Sequence, residues 1–208
     1  MNVGKSLGVL LIVAGLALGG FVAWTVADPL AGHRQHALKQ ELQRTWAAAQ
    51  KLVPAVAAAA CTDPPQRLTP SQPFALMTIP AFGPRWKFAV VEGTTLTQLA
   101  LGPGHITGTS MPGGANFGVA AHDITAGNPF LHLWNLKPGN QVIVTTAHCQ
   151  YTYAVDSHSK VSYTDVAVLK SRTAYPHTLI LVTCWPVTLA FTPVRIVVWG
   201  HEVSVHTR

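Results

Sequence analysis

A chain of 208 residues with 11% charged residues, 17 glycines and 15 prolines can hold one folded domain plus extensions, and such punctuation suits strands and turns better than a helical bundle. The net charge of +6 is compatible with an anionic membrane or cell-wall surface, but no basic stripe interleaved with aromatics argues for nucleic acid. Three cysteines, Cys61, Cys149 and Cys184, leave one thiol over in an exported protein. A Cys61–Cys149 bridge that frees Cys184 is one arrangement, which the spacing does not demand.

From the N-terminus, Ser6 to Ala27 is a run of 22 uncharged residues rich in Leu, Val, Ala and Gly, preceded by Lys5. That length crosses a bilayer as a helix and exceeds the apolar core of a secretory signal peptide, so residues 1–27 read as an uncleaved signal anchor. Thr25-Val26-Ala27 has the small residues of a signal-peptidase site, and the basic flank of Arg34, Lys39 and Arg44 runs against the positive-inside rule, a bias that long translocated domains override. The expected placement is the cell membrane, single-pass, with the C-terminal domain outside. Residues 28–73 read as a stalk. Asp28 to Lys51 favours a helix with Leu38, Leu42, Trp46 and Ala49 on one face, either a stalk or a docking helix, and Pro54, Pro64, Pro65, Pro70 and Pro73 mark an extended linker.

The folded domain is expected over residues 74–208. Strand-like runs cover Phe74 to Ile79, Lys87 to Val91, Asn116 to Ala121, Gln141 to Thr146, Cys149 to Val155, Asp165 to Leu169, Leu179 to Thr183 and Val194 to Trp199. Leu96 to Leu101 reads as a short helix, and Gly102-Pro103-Gly104 and Met111-Pro112-Gly113-Gly114 as turns. Many short strands with few helices predict a mostly β fold, a barrel or a sandwich.

Chemistry concentrates at strand ends. The apolar run Leu179-Ile180-Leu181-Val182-Thr183 leads into Cys184, Asn116 to Ala121 ends at His122, and Arg195 opens the last run. A thiolate attacks carbonyls far better than a thiol, so a nucleophilic cysteine needs a cation or an imidazolium nearby. The alternative is that Cys184 is a small buried core residue. Trp185 lines either a groove beside the nucleophile or the core. The remaining histidines, among them His105, His132, His148, His158, His177, His201 and His206, fit no compact ligand spacing, so no metal or other cofactor is expected.

Several stretches together resemble the sortases, exported cysteine transpeptidases of Gram-positive bacteria, and within them the class E enzymes of actinobacteria. They are Val90-Val91-Glu92-Gly93-Thr94, Gly102-Pro103-Gly104-His105, Met111-Pro112-Gly113, Val119-Ala120-Ala121-His122, Gly127-Asn128-Pro129-Phe130, Leu136-Lys137-Pro138-Gly139 and Leu181-Val182-Thr183-Cys184 with Arg195. About sixty residues separate the histidine from the cysteine and about ten the cysteine from the arginine. The resemblance implies an eight-stranded β-barrel with His122, Cys184 and Arg195 at the catalytic positions of one groove. It implies cleavage of the Thr-Gly bond of a Leu-Pro-x-Thr-Gly or Leu-Ala-x-Thr-Gly sorting signal on surface proteins and transfer to a cell-wall precursor amine, with Thr183 helping to hold the oxyanion. Class E members often carry an aromatic, linked to Ala at the second signal position, where this chain has Ile106. The family also commonly has Ala-Gly-His-Arg where this chain has Ala120-Ala121-His122-Asp123. Asp123 faces away from the site if the strand persists and acts on His122 if the chain turns.

Papain-like and caspase-like hydrolases compete poorly. Their cysteine signatures are missing, the papain order puts cysteine before histidine, and no α/β pattern is present. An answer of a different class is a catalytically inactive sortase-like barrel that serves cell-wall binding or assembly.

Overall fold

Burial alternates along the strand runs as it must when one face of a sheet lines a core and the other faces outward. The computed structural model describes residues 30–52, 61, 67–170, 174–187 and 192–208. Its strands are β1 (Pro73–Thr78), β2 (Lys87–Glu92), β3 (Gly104–His105), β4 (Asn116–Ala120), β5 (Gln141–Thr145), β6 (Cys149–Ser162), β7 (Thr178–Trp185) and β8 (Val194–Thr207). They pair in the order β1-β2-β3-β4-β7-β8-β6-β5, and β1 pairs with β5 to close the barrel. The β2–β3 and β4–β7 pairs are parallel. Met77, Phe117, Phe130, Val144, Tyr153 and Leu181 are fully buried in the core. The expected mostly β barrel is present.

The elements differ from the sequence reading in three places. Val166–Leu169 is a 3-10 turn and not a strand, because the Asp165 carboxylate accepts the Ala167 N–H at 3.2 Å and Val166 stands 72% exposed with nothing to pack on. Strands β6 and β8 run well past their apolar stretches and pair from Cys149↔Thr207 to Ser162↔Val194, with register shifts at Thr152/Tyr153 and Val155/Ser157. Gly104, expected as the end of a turn, opens the short strand β3 with His105.

Helix α1 (Ala31–Leu52) docks on the barrel. Leu38, Leu42 and Trp46 pack on Ala89, Val91 and Ala147, and each fully buried apolar side chain of this size contributes roughly 1.5–3 kcal/mol. The Gln35 amide accepts the Ala89 N–H and donates to the Leu101 carbonyl, both at 2.7 Å. A Cβ on Gly102 would stand 2.2 Å from the Gln35 nitrogen, and one on Gly104 would stand 2.2 Å from the Gly93 carbonyl oxygen. Close backbone approach therefore explains Gly104, and the φ of +151° explains Gly102. Cys61 and Cys149 form a disulfide, so the one arrangement that frees Cys184 is the one present. The predicted membrane span and most of the proline-rich linker lie outside the described residues. Among those described, no helix is long and apolar enough to cross a membrane.

Candidate active site

Strand register brings three sequence-distant side chains to one place. Cys184 on β7 is the direct antiparallel partner of Arg195 on β8, and Val182 is the partner of Val197 one step below. Residues two apart share a face, so Val182, Cys184, Arg195 and Val197 form one patch on the wall. Strand β4 runs parallel to β7 with Ala120 level with Val182, and the Ala121 N–H continues the pairing onto the Val182 carbonyl at 3.1 Å. His122 follows directly after this last bond, at the end of β4 that lies beside the Cys184 end of β7. The backbone there is fixed twice more. The Thr183 hydroxyl donates to the Ala121 carbonyl at 2.8 Å, and the Phe130 N–H donates to the His122 carbonyl at 3.0 Å.

Burial pushes the Cys184 thiol up from its ordinary range; the Arg195 guanidinium pulls it back down and the Asp123 carboxylate pushes it up again. Burial holds His122 below the ordinary imidazole value, and Asp123 opposes that by raising it. The uncharged thiol and imidazole are thus the favoured pair here, because a half-dry site penalises both charges. Asp123 is 4% exposed. The chain turns after Ala120, which brings this carboxylate into electrostatic reach of His122, Cys184 and Arg195 instead of carrying it to the far face. The Arg195 guanidinium donates through Nη1 to the Thr192 carbonyl at 2.7 Å and the Val194 carbonyl at 2.9 Å, which fixes its direction.

The profile of the sortase domain matches residues 77–203, more than half of the chain. The chain belongs to the sortase family. It is 36% identical over 110 residues to sortase E1 of Streptomyces coelicolor, a match that takes in 48% of this chain and 30% of that one. The chain thus spans less than a third of that relative. The solved sortase E of Streptomyces avermitilis is 34% identical with a TM-score of 0.60, covering 67% of this chain and 93% of that one. Sortase E1 of S. coelicolor, solved with a tripeptide in its active site, is 27% identical with a TM-score of 0.59, covering 68% and 94%. These relatives place the chain close to class E.

Beside Arg195 a cavity of about 140 Å³ opens over Ile106, Tyr163, Val166, Val182 and Val197. Ile106 is held there by a buried relay. Glu92 lies 2.7 Å from His105 Nδ1, His105 Nε2 lies 3.0 Å from the Thr109 hydroxyl, and that hydroxyl donates to the Ile106 carbonyl at 2.7 Å. The motif histidine thereby sets the cavity wall, a role that sequence alone did not separate from a scattered histidine. Thr183 is buried on the inward side of β7, and its observed contact is with the Ala121 carbonyl. Trp185 alternates away from Cys184 and packs with Trp134 at the edge of the core, with the Lys160 ammonium 4.0 Å from its ring centroid. Among the described residues no three His, Cys, Asp or Glu side chains converge on a metal position.

Proposed function

We propose that this chain is a membrane-anchored sortase whose domain outside the cell cleaves the Thr-Gly bond of a sorting signal and passes the acyl group to a cell-wall amine. The observation that carries the reading is the register: Cys184 directly opposite Arg195, with β4 running beside β7 up to the residues that lead into His122. The Cys184 sulfur gives its proton to His122 and attacks the threonine carbonyl carbon, forming a C–S bond and a tetrahedral oxyanion that Arg195 stabilises. The C–N bond then breaks, and His122 protonates the departing glycine amine, leaving a thioester. The acceptor amine attacks that thioester, loses a proton to His122, and expels the Cys184 thiolate. The apolar run before Ala27 supports the membrane placement.

The cavity beside Arg195 is suited to the apolar side of the signal, and Ile106 in its wall bears on the second signal position. A β-branched aliphatic removes an aromatic face but keeps bulk, so the proline signal is expected to be accepted at least as well as the alanine signal. The test is transpeptidation by the full-length chain in detergent, with Leu-Pro-x-Thr-Gly and Leu-Ala-x-Thr-Gly peptides and an amine acceptor. Cys184→Ala should abolish product, and Ile106→Tyr should move preference toward alanine by about tenfold, roughly the scale of one pocket contact. One observation favours the inactive-barrel reading, namely that burial keeps Cys184 and His122 uncharged. No product from either peptide, together with a Cys184 that labels no faster than an ordinary thiol, would favour it.

A further inference from the structure

Asp123 is buried where a charge is costly. The β4 strand ends at Ala120, the chain is pinned by the Ala121 N–H to Val182 and by the Phe130 N–H to His122, and the turn between these anchors drives the next side chain inward. Its Oδ1 accepts the Ile124 N–H at 2.9 Å, while Oδ2 is buried without a hydrogen-bond partner. A half-satisfied buried carboxylate costs free energy and is retained only where a compensating charge faces it. The titratable and charged groups that face it are His122 on its own turn, Cys184 on β7 and Arg195 on β8.

We propose that Asp123 is a positioning residue, a fixed negative charge in the wall of the site that acts through His122, Cys184 and Arg195 and sets the pH range in which they work. The carboxylate favours the imidazolium of His122 and disfavours the thiolate of Cys184, so both groups give up their protons at higher pH than they would beside a neutral residue. Because both move the same way, the balance between the ion pair and the uncharged pair changes only by the difference of the two shifts, while the whole window moves up. Burial pushes the Asp123 carboxyl up, and backbone N–H groups, His122 and Arg195 hold it down; Arg195 also opposes the effect on Cys184. The inference rests on the reading of Cys184, His122 and Arg195 as the reacting groups, but its readout does not need turnover.

The test uses the full-length chain in detergent with its disulfide intact. The rate of Cys184 alkylation by iodoacetamide is followed against pH by intact-mass spectrometry, and His122 is titrated by NMR, in wild type, Asp123→Asn and Asp123→Glu. The expected result is a several-fold faster alkylation of Asp123→Asn at neutral pH, both midpoints displaced to lower pH, and a return toward wild type in Asp123→Glu. Unmoved midpoints in a folded Asp123→Asn protein, or midpoints that move in opposite directions, overturn the proposal. If the amide does not fold, Asp123→Ser gives the same two readings. Displaced midpoints in a protein that cleaves no sorting peptide would uphold this inference and sink the transpeptidase reading.

Discussion

Cys184 and Asp123 bear opposite relations to the fold. Cys184 is a small group whose thiol burial pushes up, which favours its uncharged form at little cost. Asp123 is a carboxyl that burial pushes up, so it binds its proton more tightly in the folded chain than in the unfolded one. The linkage sign follows. Its contribution to stability is present below the ordinary carboxyl range and is lost as pH rises through the folded value. Asp123→Asn is therefore expected to raise Tm at pH 7 and to match wild type in acid, as thermal unfolding at the two pH values will show. Thr183 gives a second residue-scale prediction. Thr183→Val leaves the Ala121 carbonyl without its donor and should cost about 1–3 kcal/mol. Activity should fall with it because His122 loses an anchor, whereas Thr183→Ser should keep both; urea unfolding and peptide turnover measure the two. His122, Cys184 and Arg195 could be singled out in the sequence because each ends or begins an apolar run. The direction of Asp123 could not be read there, since it lies in the turn beyond β4, whose course is set by the bonds of Ala121 to Val182 and of Phe130 to His122 and not by its own sequence.

At the scale of elements, helix α1 belongs to the domain. Its apolar face was readable from Leu38, Leu42 and Trp46, but only the barrel shows that Ala89, Val91 and Ala147 complete it and that Gln35 bonds into the β2 edge. Removal of Trp46, which also lies under the Arg208 guanidinium at 4.4 Å, should cost about 3 kcal/mol as Trp46→Ala. The Cys61–Cys149 bridge ties the segment after α1 to the start of β6 across 88 residues, a loop worth about 4–5 kcal/mol in the chain-entropy description. The double serine variant should therefore lose roughly 10 °C in Tm without changing the reactivity of Cys184, checked by calorimetry and thiol labelling. Strand content was read well wherever an apolar face alternated. It failed at Asp165 to Leu169, where β-branched residues sit exposed in a capped turn, and in the outer halves of β6 and β8. There Ser157 to Ser162 and His201 to Thr207 look polar yet pair backbone to backbone. Backbone pairing leaves no trace in side-chain polarity, which is why those lengths were hidden.

Over the whole molecule, the order of short pieces along the chain carried the family, since none of them is specific alone. The barrel then supplied what order cannot: the neighbourhood of β4, β7 and β8, which sets residue 184 opposite 195 and ends β4 beside them just before residue 122. The anchor at residues 1–27 and the placement outside the cell remain part of the proposal, founded on the apolar run and its length. The central claim is that Cys184 carries an acyl group. Intact-mass spectrometry of the full-length chain, incubated with each sorting peptide and no acceptor amine, tests it directly. The account predicts a covalent adduct equal to the peptide up to its threonine, released by hydroxylamine and absent from Cys184→Ala. A folded protein that gains no mass from either peptide, or that gains the same mass in the alanine variant, would contradict it.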